Sequence, residues 1–172
     1  MQNKRSRLTA LVGLAAIAVF ISHRPLQAGS SSANLNVSAT VNNNCTISTA
    51  DLAFGTYDPI VTNATSPKDG TGTVTITCTK NAATTIGLDA GSNAPGSGTT
   101  RAMLAGGVKL SYEIYKESAR TNVWGNSGGG LFTPAAAPNF NPRSFTVYGQ
   151  IPAGQDIPAG SYTDTVLATV NF

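Results

Sequence analysis

Apolar and polar residues alternate in short segments along most of this chain, and breaks rich in Gly, Pro or Asn separate the segments. Strict alternation puts every second side chain on the same face of a strand, whereas a helix needs apolar residues three or four positions apart. No segment carries a convincing helical pattern. The pattern therefore predicts an all-β protein, and short antiparallel strands at this spacing favour a β-sandwich with Greek-key connections.

The clearest predicted strand covers residues 108–115, where apolar and polar side chains alternate throughout. Its inward residues are expected to be Val108, Leu110, Tyr112 and Ile114. Other strands are expected over residues 73–78, 84–90, 145–151 and 162–172, and loops over 63–72, 91–100 and 126–142. Gly55 is expected to mark a bulge or a sharp bend, since an isolated Gly beside a strand often does so.

Two alternating segments lie near the ends of the chain. The first covers residues 33–41, with the apolar positions Leu35, Val37, Ala39 and Val41. The second has the apolar positions Val166, Ala168, Val170 and Phe172. Such a chain is expected to share strands with another molecule. Alternation shows a buried face but not whose core buries it, so residues 33–41 are an equally good candidate for the first strand of the chain's own sheet.

Residues 1–28 have the three regions of a secretory signal peptide. A basic start is followed by an apolar run over residues 8–21 and a small-residue site at Leu26-Gln27-Ala28. The apolar run is shorter than the roughly 20 residues that span a bilayer. We therefore expect cleavage after Ala28, export, and a mature chain that starts near Gly29.

Loss of the signal peptide would change the charge and the available chemistry. The full chain has a formal net charge of +3, but seven basic residues would remain against eight acidic ones, which gives 7 − 8 = −1. That balance argues against nucleic acid or an anionic membrane as a partner. The one histidine, His23, would also leave. Without an imidazole the mature chain has no common general base or metal ligand, and no cofactor is predicted.

Two cysteines, Cys45 and Cys78, would remain in the exported chain. Oxidising compartments favour disulfide formation, so we expect these two residues to be joined. Closing a loop of this size stabilises a fold by about 3–4 kcal/mol in the chain-entropy description.

Apparent catalytic motifs have simpler explanations. The segment 125–129 matches G-x-S-x-G, but that motif needs a strand-to-helix turn and a histidine partner. Glu113 and Glu117 are near in sequence, but Glu113 lies on the polar face of a predicted strand beside several cations. A solvated charged face is therefore expected rather than a catalytic carboxylate pair. Aromatic residues in alternating segments are expected in the core rather than on a sugar-binding platform, namely Tyr112, Trp124 and Tyr148. We therefore predict neither enzymatic activity nor a small-molecule substrate.

Five longer motifs carry a family resemblance. They are Phe-Gly-Thr-Tyr-Asp-Pro at 54–59, Leu-Ser-Tyr-Glu-Ile-Tyr at 110–115, Ala-Arg-Thr-Asn-Val-Trp-Gly at 119–125, Val-Tyr-Gly-Gln-Ile-Pro-Ala-Gly-Gln at 147–155 and Pro-Ala-Gly-Ser-Tyr-Thr-Asp-Thr-Val at 158–166. With them the chain resembles the spore coat U domain family, which includes pilin subunits of archaic chaperone–usher pili of Gram-negative bacteria. The Gly/Pro/Ala-rich insertion at 126–142 departs from that family pattern.

The resemblance implies an incomplete immunoglobulin-like sandwich that is completed by a donor strand from a neighbouring subunit. Residues 29–44 would form the donor segment and residues 45–172 the pilin domain. Leu35, Val37, Ala39 and Val41 match the donor strand, and Cys45 and Cys78 match the family disulfide. One border of the acceptor groove would carry Val166, Ala168, Val170 and Phe172.

The implied partners are a periplasmic chaperone, an outer-membrane usher and neighbouring pilin subunits. The implied route is through the periplasm to the cell surface. The leading interpretation is a structural pilus subunit that supports adhesion and biofilm formation. A secreted spore-coat or matrix protein of the same fold, assembling without an usher, is the alternative. A secreted hydrolase is a third hypothesis, for which the chain offers no set of catalytic groups.

Overall fold

The structure, a computed structural model, describes residues 26–94 and 100–172. In that part of the chain the strands are β1 (Cys45–Ala53), β2 (Lys68–Cys78), β3 (Thr85–Leu88), β4 (Arg101–Ala105), β5 (Val108–Tyr115), β6 (Arg143–Ile151) and β7 (Ala168–Asn171). One 3₁₀ turn covers Gly128–Gly130. Residues 1–25 of the predicted signal peptide lie outside the described residues, as do residues 95–99 of the predicted loop. No helix within the described ranges is long and apolar enough to cross a membrane.

The chain divides into two units, residues 1–39 and 40–172, and all seven strands belong to the second. A five-stranded antiparallel sheet has the order β1-β2-β6-β5-β4, and β3 pairs antiparallel with β7 in a second sheet. In an immunoglobulin sandwich one sheet has the strand order A-B-E-D and the other C-F-G. Here β1, β2, β6 and β5 take positions A, B, E and D, while β3 and β7 take positions C and F. The second unit is therefore an all-β, immunoglobulin-like sandwich.

The core consists of apolar side chains that alternate along the facing strands. Its fully buried members include Val74, Ile76, Ile86, Leu88, Leu110, Tyr112, Ile114, Trp124, Val147 and Ile151. The predicted strand over residues 108–115 is confirmed, although Val108 at its start is exposed. Ile86 and Leu88 face inward as predicted. Gly55 has a positive φ of 69°, so the expected bend after β1 is confirmed.

Two predicted strands differ clearly in extent from the sequence-based expectations, and one strand was not predicted. β2 begins at Lys68 instead of residue 73, because residues 68–72 pair with β6 from Ile151 to Val147. That long-range pairing outweighs the low strand propensity of the glycines at this point. β4 was not predicted. The strand expected over residues 162–172 is regular only at Ala168–Asn171, and its earlier part makes an isolated bridge between Leu104 and Thr163.

The insertion at 126–142 is partly packed, although it was expected to be a surface loop. Phe132 and Ile86 exchange backbone hydrogen bonds of 2.9 and 2.8 Å, so the insertion pairs with β3. The ring of Phe132 lies 4.9 Å from that of Trp124, and Ala137 is buried. Trp124 Nε1 donates to Ile86 O. The insertion therefore covers one side of the second sheet, while most of its other residues remain exposed.

Candidate functional site

An open groove lies between the edges of the two sheets. β1 is an edge strand of the larger sheet and pairs only with β2, while β7 pairs with β3. Among the described residues, neither β1 nor β7 has a partner strand on its groove side. The groove has a volume of about 530 Å³, and residues 49–54 line one wall while residues 162–166 and Ala168 line the other. Unpaired strand edges of this kind are templates for another strand.

The floor of the groove is apolar. It is formed by the core side chains Val74, Leu88, Tyr112, Ile114 and Val147, together with Met103. A strand in the groove would therefore place its inward side chains against the existing core and present its backbone to the two open edges.

A second cavity of about 610 Å³ continues the groove. It shares Leu52, Phe54 and Tyr162 with the first cavity and extends between residues 55–57 and 157–161. The shared walls make the two cavities one elongated depression. An elongated apolar depression suits an extended peptide better than a compact ligand.

Glycines on β2 and β6 shape one wall of the groove. A Cβ atom at Gly149 would lie 2.7 Å from Leu52 Cδ2 and 2.8 Å from Phe54 Cζ, and one at Gly70 would lie 2.8 Å from Phe54 Cδ1. Gly70 and Gly149 are directly opposite each other in the β2–β6 pair. Because both positions lack side chains, Leu52 and Phe54 can lie flat against the sheet. This patch was not predicted, because residues 63–72 were expected to form a loop and no local pattern connects Gly70 with Gly149.

Hydrogen bonds hold the other wall in place. Tyr112 Oη donates to Asp164 Oδ2 over 2.8 Å, and Asp164 Oδ1 accepts from the Asn93 backbone and side chain. Burial, and then the bond to Asp164, raise the pKa of Tyr112 well above its usual range. Asp89 accepts from the backbone N–H of Leu167 over 2.9 Å. The segment before β7 is therefore fixed although it forms no regular strand.

Of the predicted groove-border residues, Val166 and Ala168 line the groove. Val170 belongs to β7 but is not part of the described lining, and Phe172 is 54% exposed. The described lining continues towards Tyr162 and residues 157–161. A role of Val170 and Phe172 in the groove border stays a prediction.

The predicted donor segment is exposed. Leu35 and Val37 are each 86% exposed and Val41 is 83% exposed, and Ala39 is also in the exposed class. None of residues 33–41 belongs to a strand. The structure therefore does not show the alternative in which this segment forms the first strand of the chain's own sheet. Strand sharing with another molecule stays a prediction.

The predicted disulfide between Cys45 and Cys78 is confirmed. The two residues are directly opposite each other at the start of β1 and the end of β2. The bond therefore fixes the point at which the chain leaves the predicted donor segment and enters the sandwich.

The carboxylates considered for catalysis have structural partners. Glu113 pairs with buried Arg101, and Glu117 accepts hydrogen bonds from Thr121 and Asn122. The residues described by the structure contain no group of three or more His, Cys, Asp or Glu side chains placed to hold a metal ion. The groove has backbone edges over an apolar floor, and its lining carboxylates are Asp51 and Asp164, of which Asp164 is bonded to Tyr112 and Asn93.

Comparisons with known proteins agree on the type of domain. A family model for the Spore Coat Protein U domain matches residues 31–169. Protein U of Myxococcus xanthus is 38% identical over 183 residues, covering 95% of this chain and 97% of that protein. A similar solved structure is the chaperone–tip adhesion subunit pre-assembly complex CsuC–CsuE, from archaic chaperone–usher Csu pili of Acinetobacter baumannii. It matches with a TM-score of 0.57 and 26% identity, covering 77% of this chain but only 41% of that chain.

Proposed function

This chain belongs to the Spore Coat Protein U domain family, and from that premise we propose that it is a structural subunit of a chaperone–usher pilus. Such a protein acts through assembly and not through catalysis. In the proposed assembly, residues 33–41 of one subunit fill the open groove of the next. Residues 29–44 are then the donor segment and residues 45–172 the acceptor domain. The similarity to a subunit of the Csu pilus complex supports this class of partner.

The observation that carries the proposal is the groove between the open edges of β1 and β7, with core side chains as its floor. The exposed segment 33–41 has the complementary pattern. Nine residues in a strand span roughly 30 Å, enough to run the length of a small sandwich. Burial of Leu35, Val37 and Val41 would contribute about 1.5–3 kcal/mol each. Main-chain hydrogen bonds to the two edges would add to that gain.

The donor strand has a preferred direction in this proposal. In an immunoglobulin sandwich the strand in position G pairs with strand F, which is β7 here, in an antiparallel sheet. A donor antiparallel to β7 with Val41 near Tyr162 has Leu35 near Ala168, where β7 begins. The rest of the neighbouring subunit then lies at the Tyr162 end of the groove.

Repetition of this contact produces a fibre. Donor and groove are different surfaces of one subunit, so the contact is heterologous and propagates as an open filament. An open groove is an aggregation hazard before assembly, which supports a requirement for a chaperone that covers it. An usher would then exchange the chaperone for the next donor strand at the outer membrane. Export through the periplasm to the cell surface, adhesion and biofilm formation complete the proposed role.

A coat or matrix protein that assembles without an usher is the second candidate. The observation that favours it is the 38% identity to Protein U over nearly the full length of both chains. A chaperone gene and an usher gene beside the gene for this chain would favour the pilus. Their absence would favour the coat protein.

Expression of residues 29–172 with a chaperone of this pathway tests strand exchange. We expect an SDS-resistant ladder of multimers in unboiled samples. Replacement of inward donor residues, Val37→Asp with Val41→Asp, should abolish the ladder. The matched control, Asn36→Asp with Ser38→Asp, changes outward positions of the same segment and should keep it. A folded monomer without any ladder in all three proteins would contradict strand exchange.

A further inference from the structure

In the proposed assembly, each donor segment could insert either into the groove of a neighbouring subunit or into the groove of its own subunit, and these two insertions compete. In each subunit only Asn42–Asn44 separate the alternating residues 33–41 of the donor segment from β1. A segment on so short a flexible tether has an effective concentration of the order of mM for its own molecule. The grooves of other subunits, at micromolar concentration, would then bind the donor segment less often than its own groove does, unless the geometry of the chain disfavoured self-insertion.

Self-insertion has a simple geometric route. A three-residue loop is a common connection in β-hairpins, and Asn is a favoured turn residue. A turn at Asn42–Asn44 would fold residues 33–41 back onto the free edge of β1. The donor would then occupy the groove of its own subunit, antiparallel to β1 and so in the reverse of the direction proposed for a neighbour's groove, and leave nothing for a neighbour.

Hydrogen bonds to Thr79 hold Asn42 and Asn44, the two outer residues of this connection. The backbone N–H of Asn44 donates to Thr79 Oγ1 over 3.0 Å, and the backbone N–H of Thr79 donates to Asn44 O over 2.9 Å. Thr79 Oγ1 also lies 3.4 Å from Asn42 O and 3.3 Å from Asn44 O, either of which can accept its proton. Asn44 and Thr79 thus extend the β1–β2 ladder one residue beyond the Cys45–Cys78 pair.

We propose that Thr79 is a positioning residue for strand exchange, which keeps the donor segment out of the groove of its own subunit. This inference rests on the proposed function. While Asn42 and Asn44 are held in line with β1, any reversal has to occur within the donor segment itself. A turn placed there removes Ala39 and Val41 from the paired strand, so self-insertion loses part of its apolar contact. Insertion into a neighbour needs no reversal and keeps all four apolar residues.

The hydroxyl of Thr79 is the part of this contact that a substitution can remove. A hydroxyl both accepts and donates, and Thr79 uses both capacities towards Asn44 and Asn42. Val has a similar shape and neither capacity. Thr79→Val keeps the backbone bond from residue 79 to Asn44 O, so the fold is retained. Loss of one hydrogen bond of ordinary net strength shifts an equilibrium about fivefold.

The matched control is Thr77→Val. Thr77 lies on the same face of β2, two residues before Thr79, and its hydroxyl makes no hydrogen bond to the described residues. Thr79→Ser keeps the hydroxyl and serves as the conservative variant. All proteins would comprise residues 29–172 and would be released from the chaperone at several subunit concentrations.

Two readouts separate self-insertion from exchange. Unboiled SDS gels distinguish a compact, boiling-sensitive monomer from multimers, and a fluorescent peptide of residues 29–44 reports whether monomer grooves are free. We expect Thr79→Val to raise the compact monomer relative to multimers about fivefold. That monomer should not bind the fluorescent peptide, because its groove is filled, and it should be present at every subunit concentration. Thr77→Val and Thr79→Ser should behave like the parent chain.

Failure of this inference is distinguishable from failure of the proposed function. A parent ladder with the same monomer fraction in Thr79→Val and Thr77→Val would overturn the role of Thr79 while strand exchange stood. Equal gains of compact monomer in both valine variants would overturn it too, because the effect would then belong to β2 in general. A parent chain without multimers would overturn the proposed function itself.

Discussion

Arg101 shows how a charged residue can organise this sandwich. Its side chain is 1% exposed and pairs with Glu113 from β5. Its other donors reach the backbone oxygens of Leu88, Asp89 and Trp124 at 2.7–2.9 Å. One guanidinium therefore connects the end of β3, strand β5 and Trp124, which precedes the insertion. An Arg is rarely buried unless it is paired in this way, so its position is not predictable from local pattern.

Replacement of Arg101 by Met should destabilise the domain by about 3–5 kcal/mol, because it leaves Glu113 and three backbone oxygens without their partner. Urea unfolding of the disulfide-intact protein measures this change. The matched control, Lys109→Met, removes an exposed cation from β5 and should change the free energy of unfolding by less than about 1 kcal/mol. Equal effects of the two substitutions would show that the Arg101 network contributes nothing specific.

Glu117 is the clearest site of acid sensitivity. Hydrogen bonds from Thr121 and Asn122 hold its pKa at about 2, compared with an ordinary value of 4.5. A lowered folded-state pKa stabilises the turn above the ordinary value, and that contribution is lost as pH falls through the folded value. The turn over residues 117–122 should therefore stay ordered at pH 4 and loosen towards pH 2.

NMR titration of the Thr121 and Asn122 amides would measure this transition. We expect their chemical shifts to change with a midpoint near 2. Glu117→Gln should remove that midpoint and leave the rest of the spectrum unchanged. A midpoint close to 4.5 in the parent chain would show that the hydrogen bonds do not favour the ionised carboxylate.

At the scale of elements, strand prediction succeeds where one face of the strand is buried and its own residues alternate between apolar and polar. Strand β5 and the inward positions of β3 follow from alternation because each has one face on the core. Strand β4 was missed because its sequence Arg-Ala-Met-Leu-Ala does not alternate, and its first residue is the buried Arg101. The start of β2 was missed because pairing with distant β6 decides it.

The candidate site was only partly predictable for a similar reason. Alternation in residues 33–41 and the two cysteines point to strand sharing and a disulfide. The groove wall depends instead on Gly70 and Gly149, which are 79 positions apart (149 − 70) and meet only in the folded sheet. The hydrogen bond from the Asn44 backbone to Thr79 Oγ1 also joins residues that are distant in sequence. Contacts between distant residues of this kind leave no periodic signal.

Gly149→Ala tests the role of the glycine patch. The added Cβ atom would meet the ends of the Leu52 and Phe54 side chains, and we expect it to displace them into the groove that they line. We expect donor-peptide affinity to fall about tenfold or more, since a shift of about 1.4 kcal/mol gives that factor. Fluorescence anisotropy with a chain that starts at Cys45 and a peptide of residues 29–44 measures it. Gly129→Ala, where a Cβ atom has nothing within 4 Å, is the control and should bind normally.

At the scale of the whole molecule, the fold combines a stable body with two incomplete edges. The disulfide, the Arg101 network and the packed insertion stabilise the sandwich away from the groove. The edges of β1 and β7 leave backbone groups and core side chains available to a partner. Stability and assembly are therefore coupled, because the strand that completes the core belongs to another molecule in the proposed fibre.

This coupling makes stability depend on donor concentration. The acceptor that begins at Cys45 should unfold at a low urea concentration alone and gain stability when the 29–44 peptide is added. Since the ligand binds only the folded state, each tenfold increase in saturating peptide should add about 1.4 kcal/mol to the free energy of unfolding. A peptide in which Val37 exchanges places with Asn36 and Val41 with Thr40 has the same composition but moves two of the four inward apolar residues to the other face, so it should add much less stability. Equal stabilisation by both peptides would mean that general hydrophobic association, and not a complementary strand, fills the groove.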